Sequence, residues 1–310
     1  VAAIANILTS EFSGIAASLG AAFVWSISVA IYRVWGVGRS VIWLNLFKGL
    51  VGLFFFTCAL LIQRSQPMPS FHAHVVLVVS GIIGVLIGDT VFFAALQRIG
   101  ATMTSSIQCL APPLTGILAW MILGEGLQFA QIAGLTLTSA CLAGLIYCES
   151  ARQSSTRQGS TRPPDNRHFA FGIGCAIAAA CCQALGAVVA KPVLTGLSPI
   201  VTGAARLWCP VLILICFEIR RSSSIRAMVK GLSKEPGTGL LALAAFLGTF
   251  VGLALMMHGM AHAPLGVALA LNSTYPIWIM LGERAFGRVT ISGRGVLFVF
   301  GSVAGVWLMI

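Results

Sequence analysis

Four ionisable residues stand inside otherwise apolar stretches of this 310-residue chain: Lys48, Asp89, Arg206 and His258. A hydrocarbon environment penalises charge, so an ionisable group there pairs with another, reaches water or binds something. Lys48 lies eight residues past Ser40, and Asp89 lies nine residues before Arg98. At helical rise these are depths of roughly 12 and 13 Å from the same face. Equal depth allows a compensating ion pair, with a proton or substrate site as the functional alternative; a lysine stem can also reach back to the interface. Arg206 is about as deep from the opposite face, and the position matching Asp89 is Leu253, so no acid faces it by symmetry. A guanidinium stays charged and must find carbonyls, water or an anionic ligand. His258, near the end of its run, reads as a satisfied histidine more readily than as a proton relay.

Amides and prolines supply a second pattern. Gln108 precedes Pro112 by four residues, and Asn272 precedes Pro276 by four. Proline cannot donate to the carbonyl four residues earlier, so each is expected to free the carbonyl of an amide residue. Two such polar kinks suit a watery cavity, the alternative being ordinary kinks satisfied by neighbouring hydroxyls. Trp25 and Gln183 occupy corresponding places and are candidates for the same cavity, Trp25 being equally suited to a core. Glu125 and Glu283 recur in Leu-Gly-Glu triplets and are read as carboxylates that stabilise a helix start. The nine cysteines fall in or beside apolar runs with no zinc-ligand spacing and are read as packing residues. No metal or cofactor is implied. His-Glu-x-x-His, Gly-x-Ser-x-Gly and nucleotide-loop patterns are absent from the sequence, so no enzyme is expected.

The elements that must position these residues follow from composition. The chain is 58% hydrophobic and 9% charged, far from the roughly 25% charged of a soluble domain. Its nineteen basic residues are scattered singly and form no nucleic-acid face. Apolar runs occur at about 11–33, 40–62, 74–97, 101–123, 128–149, 169–190, 198–218, 238–261, 264–282 and 291–310. Each is near the twenty residues that a membrane-spanning helix needs. The expectation is an all-α integral membrane protein of ten transmembrane helices, with the first helix acting as the insertion signal.

A polar, basic linker at 150–168 separates a first unit, 11–149, from a second, 169–310. The units are a repeat. A shift of 158 places Arg33 on Lys191, Ser40 on Ser198 and Lys48 on Arg206; a shift of 164 places Gly84 on Gly248, Gly88 on Gly252 and Pro112 on Pro276. Five helices per copy is an odd number, so the second copy enters the bilayer from the opposite face and the repeat is inverted.

The opening Gly20-Ala-Ala-Phe-Val-Trp25-Ser, the basic residue of the second helix, and Ala111-Pro112-Pro113 leading to Leu123-Gly124-Glu125-Gly126 resemble the drug/metabolite transporter superfamily, in its ten-helix EamA type. The resemblance covers essentially the whole chain. It implies export or exchange of a small metabolite such as an amino acid or other organic solute. With the cavity cations, an anion or zwitterion is favoured over other cargo, and a channel-like facilitator is the alternative. The expected partners are a small-molecule substrate, the lipid bilayer, and protons or a counter-substrate for coupling. One departure concerns the ninth helix: Pro112 precedes Glu125 by thirteen residues but Pro276 precedes Glu283 by seven. Loop charge sets the orientation. Fifteen basic residues, from Arg33 to Arg294, fall on one face and two, Arg64 and Lys191, on the other, which places the first face in the cytoplasm. A bacterial inner membrane is the expected location.

Overall fold

The computed structural model describes residues 2–63, 68–123, 129–156, 166–194, 196–222, 237–263, 268, 271–285 and 293–308, and every regular element among them is a helix. In the first unit these are α1 (Ala2–Trp35), α2 (Val41–Ile62), α3 (Phe71–Ile99), α4 (Ala101–Ile122) and α5 (Phe129–Thr156). The second unit contains α6 (Asn166–Leu194), α7 (Pro199–Ser222), α8 (Thr238–His262), α9 (Tyr275–Ala285) and α10 (Gly293–Trp307). Large apolar side chains such as Phe54, Leu212, Phe217 and Leu243 point outward, as expected where the surrounding solvent is hydrocarbon.

Seven helices among the described residues are long and apolar enough to cross a membrane: most of α1, then α2, α3, α4, α6, α7 and α8. The other three expected spans are not among these seven. Within α5, Ile132–Leu145 is the apolar stretch among the described residues. The apolar helix α10 is Gly293–Trp307, and α9 has 11 residues. Pro276 sits in the first turn of α9, where a missing N–H costs nothing, so it starts that helix instead of kinking it. Pro264, Glu125 and the Pro163-Pro164 pair lie outside the described residues, while α5 and α6 extend helically into the two edges of the polar linker.

The repeat is visible in detail. Gly38 and Gly196, 158 residues apart, both adopt a left-handed φ, +83° and +82°, in the turn between the first and second helices of their units. That conformation is open to glycine without steric penalty. Within α3, residues Ile82–Gly88 form a π-helical segment, and within α8 residues Phe246–Gly252 form another, in register under the 164-residue shift. A π turn carries a residue too many for the i→i+4 ladder and leaves backbone carbonyls seeking other donors. Asn45 of α2 supplies one set, with Nδ2 donating to the carbonyls of Val85 (2.9 Å) and Leu86 (3.3 Å). Trp25 of α1 supplies the other, with Nε1 donating to the carbonyl of Gly248 at 2.7 Å.

Helices of one unit pack on those of the other: α1 on α8, and α3 on α6. Gly14 of α1 meets the backbone of His262 and Ala263, and Gly172 of α6 meets Arg98 and Ile99, which are the equivalent pairs. Ser28 Oγ donates to Ala244 O (2.8 Å) between α1 and α8, and Ser80 Oγ donates to Gly186 O (2.7 Å) between α3 and α6. Two further bonds, Cys109 Sγ to Ser273 O and Thr138 Oγ1 to Ser302 O, each join residues 164 apart. A residue that touches its own counterpart lies on the axis relating the copies, so these contacts mark that axis.

Close approach of α3 and α7 depends on Gly81, where a Cβ would collide with the carbonyl of Arg206. Small residues of this kind let membrane helices approach through their backbones. Gly81→Ala is therefore expected to destabilise the protein by about 3 kcal/mol, the upper part of the overpacking range, because the obstacle is backbone and cannot rotate away. Gly174→Ala, with nothing within 4 Å of the added methyl, is the matched control and should leave thermal unfolding in detergent unchanged. Equal melting temperatures for the two variants would refute this account of the crossing.

Candidate functional site

A cavity of about 190 Å³ opens between the two units and is lined from both. Trp25, Ser28 and Tyr32 come from α1, Lys48 from α2, Gly84, Asp89, Phe92 and Phe93 from α3, and Gln108, Pro112 and Thr115 from α4. The second unit contributes Gln183 from α6, Arg206 from α7, Gly248, Thr249, Met256 and Met257 from α8, and Asn272, Ser273 and Tyr275 at the entry to α9. All seven residues singled out from the sequence (Trp25, Lys48, Asp89, Gln108, Gln183, Arg206 and Asn272) line this one cavity. His258 does not line it; its Nε2 lies 3.2 Å from Ser13 Oγ, and its ring stacks on that of His262 with centroids 4.0 Å apart.

Lys48 and Asp89 form an ion pair, Nζ donating to Oδ2, with the side chains 12% and 17% exposed. Equal depth on neighbouring helices brings them together, so Lys48 does not snorkel. The second carboxylate oxygen of Asp89 faces Gln183 Nε2 at 3.5 Å, while the lysine ammonium lies 6.0 Å from the centre of the Phe93 ring. Asp89 thus has a partner on each oxygen.

Arg206 is buried, 5% exposed, on the surface that Gly81 and Gly84 of α3 leave bare. Its Nη1 approaches Met257 Sδ at 3.7 Å, and its Nε has no hydrogen-bond partner. Asp89 is near enough to interact with it electrostatically but is ion-paired with Lys48. Two other lining residues carry buried polar atoms without partners: the hydroxyl of Tyr32 and Oδ1 of Asn272. Such orphans are rare in folded proteins and call for an explanation.

Gln108 departs from expectation. Its carbonyl is not freed by Pro112, because the chain tightens into a 3₁₀ turn over Gln108–Leu110 and the N–H of Ala111 takes that carbonyl. Its side chain instead bridges the units, Nε2 donating to Ala176 O at 3.2 Å. With Pro276 opening α9, the two prolines are not equivalent kinks. Sequence reasoning passed over Tyr32, Tyr275 and Asn45. Asn45 could have been found by the criterion that selected Lys48, a polar side chain within an apolar run. The nine cysteines are free thiols, and none lines the cavity.

The sequence pattern of the EamA-like transporter family matches residues 12–147 and again 170–310, one match for each unit. The chain belongs to the EamA-like transporter family. It is accordingly an integral membrane protein of the drug/metabolite transporter superfamily, built from two copies of the family's repeat, and this architecture fits an inverted arrangement. A comparison with curated proteins returns no match. Among solved structures, a crystal structure of a protein 17% identical superposes with a TM-score of 0.68, over 96% of this chain and 95% of that one. At that identity the likeness concerns the fold alone.

Proposed function

We propose that this EamA-like protein is a secondary carrier that exports or exchanges a small organic anion or zwitterion by alternating access, with its ten helices forming two inverted five-helix repeats. The observation that carries the reading is Arg206, a buried guanidinium with a partnerless Nε on a cavity shared by both repeats. A charge of this kind costs free energy unless compensated, and an anionic ligand group is the compensation that a carrier would supply. The ligand then sits where motion of one repeat against the other changes its access. Asp89 is engaged by Lys48, so exchange against a counter-substrate is favoured over proton coupling. In proteoliposomes, uptake of labelled solute should saturate, rise with unlabelled solute inside and survive a protonophore. Flux that is ohmic and indifferent to internal solute would identify a channel-like facilitator and refute the reading.

A bacterial inner membrane is the location that goes with this reading, and the charge bias of the loops supports an orientation with the basic face in the cytoplasm. In a cysteine-free background, an impermeant thiol reagent added outside should label a reporter at position 65 and spare one at position 155. The reverse pattern would place fifteen basic residues outside and overturn the orientation.

A further inference from the structure

The ionised groups lining the cavity are Lys48, Asp89 and Arg206, two cations and one carboxylate, so the empty site holds one positive charge in excess. Both oxygens of Asp89 are occupied, by Lys48 and Gln183. An incoming ammonium therefore meets no free carboxylate. The partnerless atoms on the lining residues are two donors, Arg206 Nε–H and Tyr32 O–H, and one acceptor, Asn272 Oδ1. Their complement is a carboxylate that accepts twice and an uncharged N–H or O–H that donates once.

We propose that the substrate is a small monoanion bearing a neutral hydrogen-bond donor, of the hydroxycarboxylate kind, and not a zwitterionic amino acid. The inference rests on the carrier reading above and narrows it. A monoanion leaves the loaded cavity neutral. A zwitterion balances Arg206 with its carboxylate but adds an ammonium, so the excess charge persists, and in a low-dielectric site that difference is large. Size points the same way: a cavity of about 150 Å³ holds a benzene ring, so 190 Å³ suits a ligand little larger than six heavy atoms. The carboxylate is assigned to Arg206 and Tyr32 and the neutral donor to Asn272, whose partnerless atoms are buried in the empty site and turn toward the ligand as it enters.

Four probes of one three-carbon skeleton separate these terms: lactate, propanoate, alanine and lactamide, titrated against the purified full chain in detergent with thermal unfolding as the readout. Lactate is expected to stabilise at the lowest concentration, because a ligand that binds the folded state raises its stability. Propanoate, lacking the donor, should need about tenfold more, the worth of one hydrogen bond. Alanine and lactamide should give no shift. Asn272→Leu should bring lactate down to the propanoate level, and a merely structural role for Asn272 would move both ligands together. Stabilisation by alanine equal to or beyond that by lactate overturns the proposal and means that the Lys48–Asp89 pair opens for an ammonium. A response to lactamide matching lactate, or no response to either acid, also overturns it. The carrier reading fails separately, on ohmic flux in proteoliposomes whatever the four probes do.

Discussion

Arg206→Gln is expected to reduce solute counterflow in proteoliposomes by about 100-fold while the melting temperature of the purified protein moves little. Hydrogen bonds to a charged group contribute about 1.5–3 kcal/mol, and each 1.4 kcal/mol is a factor of ten in affinity. The folded state has little to lose, since the guanidinium makes one long contact to a thioether and leaves Nε unpartnered. Glutamine removes an uncompensated buried charge and so spares the protein a cost. Arg206→Lys should retain roughly a tenth of the activity: the charge stays, but the planar fork that receives a carboxylate is lost. Normal transport by Arg206→Gln, or loss of a folded protein without a selective loss of flux, would make Arg206 structural and remove the main support for an anionic substrate.

The second large effect concerns the Lys48–Asp89 pair and depends on charge order. Lys48→Met leaves one cation and one carboxylate, so the Asp89 charge, released from its partner, acts on Arg206 alone. Anion binding should then fall about as far as in Arg206→Gln. Asp89→Asn leaves two cations and should tighten anion binding. Each single change strands a charge: removing one member of a buried pair costs 3–5 kcal/mol, and partial exposure to the cavity brings this to about 2–3 kcal/mol. The double variant Lys48→Met/Asp89→Asn strands nothing and restores one excess positive charge. Its unfolding free energy should return to within about 1 kcal/mol of the parent, and counterflow should recover. Additive losses in the double variant would show that the two residues act separately.

Much of this site could be read from the sequence because it depends on depth and registration. Counting residues from Ser40 and Arg98 gave Lys48 and Asp89 a common level, and the 158-residue shift paired Trp25 with Gln183 and Lys48 with Arg206. Each of these residues lines the cavity. Features that depend on one hydrogen bond more or less were not legible. A π segment and an α segment share nearly the same apolar periodicity, so Gly84 and Gly88 read from the sequence as packing residues of an ordinary helix. Pro112 announces a lost donor, but whether the orphaned carbonyl waits or is recaptured by a tighter turn depends on backbone geometry near Ala111. Tyr32 stands next to Arg33 at the end of its apolar run, where its spacing does not set it apart. Of the ten apolar runs, seven are helices of spanning length among the described residues.

The paired serine bonds bear on how two copies of one unit drift apart. Ser28 aligns with Gly186, and Ser80 aligns with Ala244; scored position by position, the copies disagree at both sites. Yet each crossing keeps one hydroxyl bound to one carbonyl, donated by the first helix at one crossing and by the third at the other. A contact made twice by duplication needs its donor on only one of two partners, so substitution at one site is neutral while its opposite number holds. Divergence can then erase identity between the halves while the geometry that joins them persists.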